Sequence, residues 1–193
     1  KVPASGIDYI TFSGRGEPLL AKNLGDMIKA VKAIRPEKIA VITNSSLIDR
    51  ADVQADLMLA DFVLAKLDAC DAKSFLRIDQ AAQPISFEKM IQGLCAFRKK
   101  FKGRLALQIM FVEQNKRNAK DIAKLVKRIN PDEVQLNTPL RPCAVKPLTK
   151  EQMKDIKKEF ADFKATSVYE IPKKSYTPFD DKKTASRHGK FKK

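Results

Sequence analysis

The chain of 193 residues has no tryptophan and one histidine, His188. A lone histidine in a basic tail, with no second base or nucleophile nearby, argues against a histidine-based hydrolase. Cysteines are few and far apart: Cys70, Cys95 and Cys143. That spacing excludes a small disulfide scaffold and fits no zinc or iron–sulfur ligand pattern, so no metal ligands are assigned. Reduced cysteines in a cytoplasmic protein are expected, with Cys95 beside Leu94 on the apolar side of a helix. Long apolar runs are missing too. Stretches such as Ile39-Ala40-Val41-Ile42 are too short to cross a membrane. Lys1-Val2-Pro3-Ala4-Ser5-Gly6 has no apolar core of a signal peptide. No membrane partner is expected.

What is present is enough for a folded domain. The chain is 44% hydrophobic and 32% charged, so it can bury a sizeable core. Its formal charge of +15 favours polyanions such as RNA or DNA but does not bear on fold. Basic residues concentrate at the end. Residues 171–193 hold eight Lys and Arg against Asp180 and Asp181. Two readings stand: a solvated basic tail, or a nucleic-acid contact or linker.

Apolar periodicity alternates along the chain. Ile7–Phe12 is β-branched and aromatic and ends at Ser13-Gly14-Arg15-Gly16, which predicts a strand. Leu24, Met27, Ile28, Val31 and Ile34 recur at helical spacing, and Pro36 closes that helix. Further strands are predicted at Ile39–Ile42, Phe62–Ala65, Leu105–Val112 and Glu133–Asn137, with a last short one at Val168–Ile171. Further helices are predicted over 49–60, after Ser86, after Asn118 and after Thr149. Ser86 is the expected N-cap of a helix that Gly103 ends. Thr149 and Gln152 have capping-box spacing, ahead of Met153, Ile156, Phe160 and Phe163. Alternation about every 25–30 residues is the pattern of repeated β–α units with parallel strands. An open doubly wound sheet and a barrel both fit it.

Ligands of such folds bind at the carboxyl ends of the strands. Those ends are polar here: Ser13–Pro18; Thr43-Asn44-Ser45-Ser46; Lys66-Leu67-Asp68; Gln108 with Glu113-Gln114-Asn115; and Gln135, Asn137 and Thr138. One polar small-molecule site is expected where they converge. The turn Gly14-Arg15-Gly16-Glu17-Pro18 is the most specific piece, because two glycines let backbone approach a ligand and a carboxylate suits an ammonium group. It lacks the third glycine of a dinucleotide fingerprint and the Gly-Lys-Ser/Thr of a P-loop. A purely structural turn remains the other reading.

Several of these segments together resemble the radical S-adenosylmethionine (radical SAM) family. Thr11–Leu20 resembles its "GGEP" segment in the "FSGxGEPTL" variant. Ile42–Ser46 resembles its "TNG" strand end, and Lys66–Ala69 its "SLDA" or "KLDA" strand end. Gln135–Pro139 with Arg141-Pro142 is similar to the "QLNTPxRP" segment of one subgroup. The match runs in order from about Ile7 to Phe160.

The resemblance implies an α/β fold, a partial (β/α)6 TIM-type barrel of parallel strands. It implies a SAM-dependent oxidoreductase whose 4Fe–4S cluster, once reduced, cleaves SAM to methionine and a 5′-deoxyadenosyl radical. It implies that the Gly14, Gly16 and Glu17 region receives the methionine amino group. Thr43 and Asn44 would lie near the methionyl and ribose end, and Lys66 and Asp68 at the ribose or carboxylate. A serine is common at the Lys66 position in the family. Gln108 and Asn137 would line the cavity toward adenine or substrate. For Asp68 and Asn137 the other reading is turn capping. Arg141 is either a substrate-anion contact or a surface residue.

The family's C-x3-C-x2-C cluster loop has no counterpart here, and Cys70, Cys95 and Cys143 cannot replace it. The expectation is therefore a fragment with the first β–α unit missing, inactive alone, whose full-length parent holds the cluster. Residues 1–165 would be the core and 166–193 a basic extension. The exposed barrel edge would invite self-association. The competing expectation is a basic α/β nucleic-acid-binding module, or an RNA-modifying protein, without SAM chemistry. The substrate, whether small molecule, RNA or protein, is not legible.

Overall fold

The computed structural model describes residues 7–14, 16–82, 84–141 and 143–172. Arg15 and Pro142 of the segments above, His188 and the tail from Lys173 onward lie outside the described residues.

Six strands form one all-parallel sheet in the order of the chain. They are β1 (Tyr9–Phe12), β2 (Lys38–Thr43), β3 (Phe62–Lys66), β4 (Arg104–Met110), β5 (Glu133–Asn137) and β6 (Ala165–Ser167). Helices α1 (Leu24–Ile34), α2 (Ala51–Leu57), α3 (Ala72–Ile78), α4 (Phe87–Lys100), α5 (Ala119–Ile129) and α6 (Lys150–Lys158) fill the connections. A parallel sheet in sequential order, wound always with the same hand, carries its helices on one face, as a (β/α) barrel does.

The burial pattern bears this out. Ile39 and Val41, Val63 and Ala65, Leu105 and Leu107, and Val134 and Leu136 alternate onto the face that joins the helix core. The opposite face has an apolar floor of Ala40, Leu64 and Ala106, which are buried but stand apart from that core. Toward the carboxyl ends the same face turns polar, with Lys66 beside Gln108 and Gln108 beside Gln135. The doubly wound alternative is thus set aside.

Local signals explain most boundaries. Ser86 Oγ accepts from Lys89 N at the start of α4. Thr149 and Gln152 form the expected capping box of α6. Asn130 ends α5 in the left-handed region at φ 57°. Asn118 occupies an N-cap position without a side-chain cap bond.

Three expectations need correction. The last strand is Ala165–Ser167 rather than Val168–Ile171, because the chain turns at Glu170, whose N–H donates to Ser167 O and whose carboxylate accepts from Ser167 N. β6 therefore straddles the 165/166 division. The helix expected over 49–60 is only Ala51–Leu57. Helix α3 was not anticipated, although Asp71 and Ser74 cap it reciprocally. No helix among the described residues is long and apolar enough to cross a membrane.

Candidate functional site

The carboxyl end of β1 is fastened to that of β2 by one carboxylate. Glu17 Oε1 accepts from Thr43 Oγ1 at 2.6 Å and from Leu19 N at 3.1 Å. Its Oε2 accepts from Asn44 N at 2.7 Å. The side chain thus shapes the glycine turn, and three of its roughly four acceptor positions are used within the chain. At Gly14 and Gly16 an added Cβ would meet nothing within 4 Å, and neither has a left-handed φ. Neither packing nor backbone geometry within the described residues asks for glycine there.

After β2 the chain turns sharply. Ser45 is fully buried at φ 67°, a conformation that favours glycine. Its N–H donates to Thr43 Oγ1 at 3.0 Å and its hydroxyl to Lys66 O at 3.0 Å. That turn presents Asn44, whose Oδ1 accepts from Ser46 N at 3.0 Å.

The end of β3 carries an ion pair. Lys66 Nζ lies 2.8 Å from Asp68 Oδ2, and the Asp68 side chain is 4% exposed. Burial pushes the Lys66 ammonium down, but the charge and hydrogen bond of Asp68 outweigh it and leave the group raised. Asp68 Oδ1 accepts from Met110 N at 2.8 Å, so the carboxylate also fixes the end of β4. Asn115, fully buried, completes the join. Its amide donates to Asp68 O and Met110 O, both at 2.9 Å, and its carbonyl accepts from Val112 N at 2.8 Å. Asn115 was visible as a polar residue after β4, but its buried position between two strand ends was not.

These ends frame a cavity of about 570 Å³. Asn44, Lys66 and Asp68 line it, with Met110 at the end of β4, Val112 beyond it, and α3 and the segment after it as a wall. Thr43 and Glu17 stand behind Asn44 through the bonds above. Gln108 and Asn137 do not line this cavity; they pair in register with Lys66 and Met110, on the strands beside it. Asn137 O accepts from Phe111 N at 2.7 Å. Arg141 is exposed. The expected residues therefore share one rim, and three of them share one cavity.

Asp79 is the lining residue that the sequence reading missed. It caps the C-terminus of α3, and its Oδ2 is buried without a hydrogen-bond partner. Burial, then the charge of Asp68, pushes its carboxyl up to about 7 against the pull of Lys66. A signal existed: an acid at a helix C-terminus, where the dipole favours a cation.

No family model matches the chain. Among solved structures, it is similar to a domain of a pyruvate-formate lyase-activating enzyme from Bacteroides vulgatus, with TM-score 0.66, 20% identity and coverage of 82% of this chain and 97% of that one. It is similar to TYW1 with a lysine-pyruvate adduct bound, with TM-score 0.69, 20% identity and coverage of 80% and 50%. It is also similar to a radical SAM methyltransferase from Sphaerobacter thermophilus, with TM-score 0.64, 17% identity and coverage of 84% and 51%.

The chain shares the fold of these proteins, a radical SAM methyltransferase among them. Sequence relatives are longer proteins. The chain is 41% identical over 160 residues to a GTPase Obg of Brachyspira hyodysenteriae, covering 80% of this chain and 24% of that protein. It is 37% identical over 146 residues to a UPF0026 protein of Synechocystis sp., covering 75% and 54%. It is 31% identical over 81 residues to an S-adenosylmethionine-dependent nucleotide dehydratase of Lacinutrix mariniflava, covering 42% and 17%. The chain thus spans about half or less of the relatives named. The Gly-Lys-Ser/Thr of a P-loop, which a GTPase uses, is not found in its 193 residues.

An iron–sulfur cluster is held by cysteine thiolates gathered at one place. Cys70 accepts a hydrogen bond from Asn118 Nδ2 after β3, Cys95 packs on the core from α4, and Cys143 is exposed after β5. The described residues contain no group of three or more His, Cys, Asp or Glu able to hold a metal ion. They do not fit the cluster.

Proposed function

We propose that this chain is the SAM-holding part of a radical SAM enzyme, with its site at the carboxyl rim of β1–β4. The observation that carries the reading is the meeting of Asn44, Lys66 and Asp68, from two successive strand ends, at one cavity of about 570 Å³. That volume is in the range of small-molecule and cofactor sites. The open space at Gly14 and Gly16 supports it further, because a ligand lying on that turn supplies the reason for glycine that the chain itself does not. The backbone of this turn would take the methionine ammonium. Asn44, Lys66 and Asp68 would hold the ribose and carboxylate, and Gln108 and Asn137 the far side toward substrate.

When a cluster is bound, it supplies the electron that cleaves SAM to the 5′-deoxyadenosyl radical. The described residues hold no ligand set for one, so this chain contributes binding and orientation. The oxidoreductase activity belongs in this reading to a longer protein with a core over 1–165 and a basic extension over 166–193. A cytoplasmic, oxygen-poor location suits such chemistry. The test is calorimetric titration of the chain with SAM, then of Asp68→Asn. Binding by the wild type, weakened about tenfold in the variant, supports the reading. No heat with SAM, together with steeply salt-dependent binding of RNA, overturns it in favour of the nucleic-acid module.

A further inference from the structure

The wall opposite β3 carries a carboxyl that the SAM reading does not use. Neither oxygen of Asp79 has a hydrogen bond among the described residues, and Oδ2 is shut away from solvent. A buried acceptor left unmatched costs free energy that a bound donor recovers. The ionisable groups around it are Lys66 at the end of β3, Asp68 two residues beyond it and Arg77 on α3. Lys66 is held by Asp68 at 2.8 Å, and Arg77 Nη2 donates to Gln114 O at 3.3 Å, both of these residues lining the same cavity. The charges that act on Asp79 are therefore one carboxylate and one ammonium already paired with it, which leaves Asp79 without a cation of its own. Ile78, Ile85, Met110 and Val112 give the cavity an apolar part, beside polar lining from Gln80 and Gln114.

We propose that this cavity recognises a substrate with a primary ammonium group on an apolar body, the ammonium at Asp79 and the body against Ile78, Ile85, Met110 and Val112. The proposal names a substrate class for the site described above, and it rests on that reading only in requiring that SAM leave the α3 wall free. An ammonium gives Asp79 its missing donor and balances the second carboxyl. The terminal torsion of an aspartate is broad, so either oxygen can turn to the ligand. Burial pushes the Asp79 carboxyl up to about 7, so an arriving ammonium favours its ionised form and couples binding to partial proton release.

The test uses the full chain labelled with 13C at the aspartate carboxyls, with the Asp79 signal identified by Asp79→Asn. The probes are phenethylamine and its neutral counterpart 2-phenylethanol. The expected result is a titration midpoint for Asp79 that falls by about one unit or more with the amine and is unmoved by the alcohol. Equal movement with both probes, or none with either, overturns the proposal. SAM is titrated separately. If SAM alone abolishes the Asp79 titration, the carboxyl belongs to the SAM site and the amine proposal is overturned. If the chain ignores SAM yet keeps its amine response, the amine site stands and the SAM reading falls.

Discussion

Glu17 Oε2 accepts the backbone N–H of Asn44 at 2.7 Å, so the turn after β1 and the turn after β2 are held by one side chain. The same carboxylate takes the Thr43 hydroxyl and the Leu19 N–H. Glu17→Ala is expected to cost about 1–3 kcal/mol in urea unfolding, since three donors lose a charged acceptor. Glu17→Gln is expected to recover only part of this, because its amide N–H would face the Asn44 N–H. Wild-type stability in both variants would contradict the assignment.

Asn115 joins β3 to β4 with three buried hydrogen bonds. Replacing it by Ala is expected to lower stability by about 2–3 kcal/mol, because Val112 N–H and two carbonyls lose their partner in a site closed to water. Chemical denaturation measures this, and a loss below about 0.5 kcal/mol would be inconsistent with the buried network.

Gly93 on α4 lies against the loop before α2. A Cβ there would stand 2.6 Å from Asp49 N and 2.7 Å from Asp49 Cα. The obstacle is backbone, which yields little. Gly93→Ala is expected to destabilise by about 1–3 kcal/mol despite alanine's better helix propensity. A thermal melt above that of the wild type would count against this packing.

Asp79 gives stability a pH dependence of known sign. Its folded carboxyl is raised to about 7, so the folded chain holds this proton more tightly than the unfolded chain does. Stability from this group is present below the unfolded carboxyl's range near 4 and is lost as pH rises through about 7. Asp79→Asn removes that slope. The variant is expected to melt above the wild type at about pH 8, by less at about pH 5, and level with it only below about pH 4. Parallel melting curves across that window would rule out the raised carboxyl.

The sequence exposes the scaffold more readily than the site. β2 and β5 are legible because apolar residues crowd into runs bounded by turn residues, and α4 and α6 because Ser86 and Thr149 cap them. Single-sided winding is harder to read, since Ala40, Leu64 and Ala106 make the inner face look as apolar as the helix-facing one. Helix α3 is short, and β6 has three residues that only pairing with β5 defines. The rim residues are visible as polar strand ends. Ser45 hides a glycine-like turn behind a residue that compensates with its hydroxyl. Asp79 is hidden because its burial depends on a loop packing across a distant strand end.

The cavity draws on positions from Asn44 to Val145. A nascent chain leaving the ribosome therefore has to build four parallel strands and the crossovers between them before a small molecule finds a complete basin. Occupancy cannot guide those early steps. Any ligand of this rim acts instead as a latch on a scaffold already assembled, slowing its reopening more than hastening its formation.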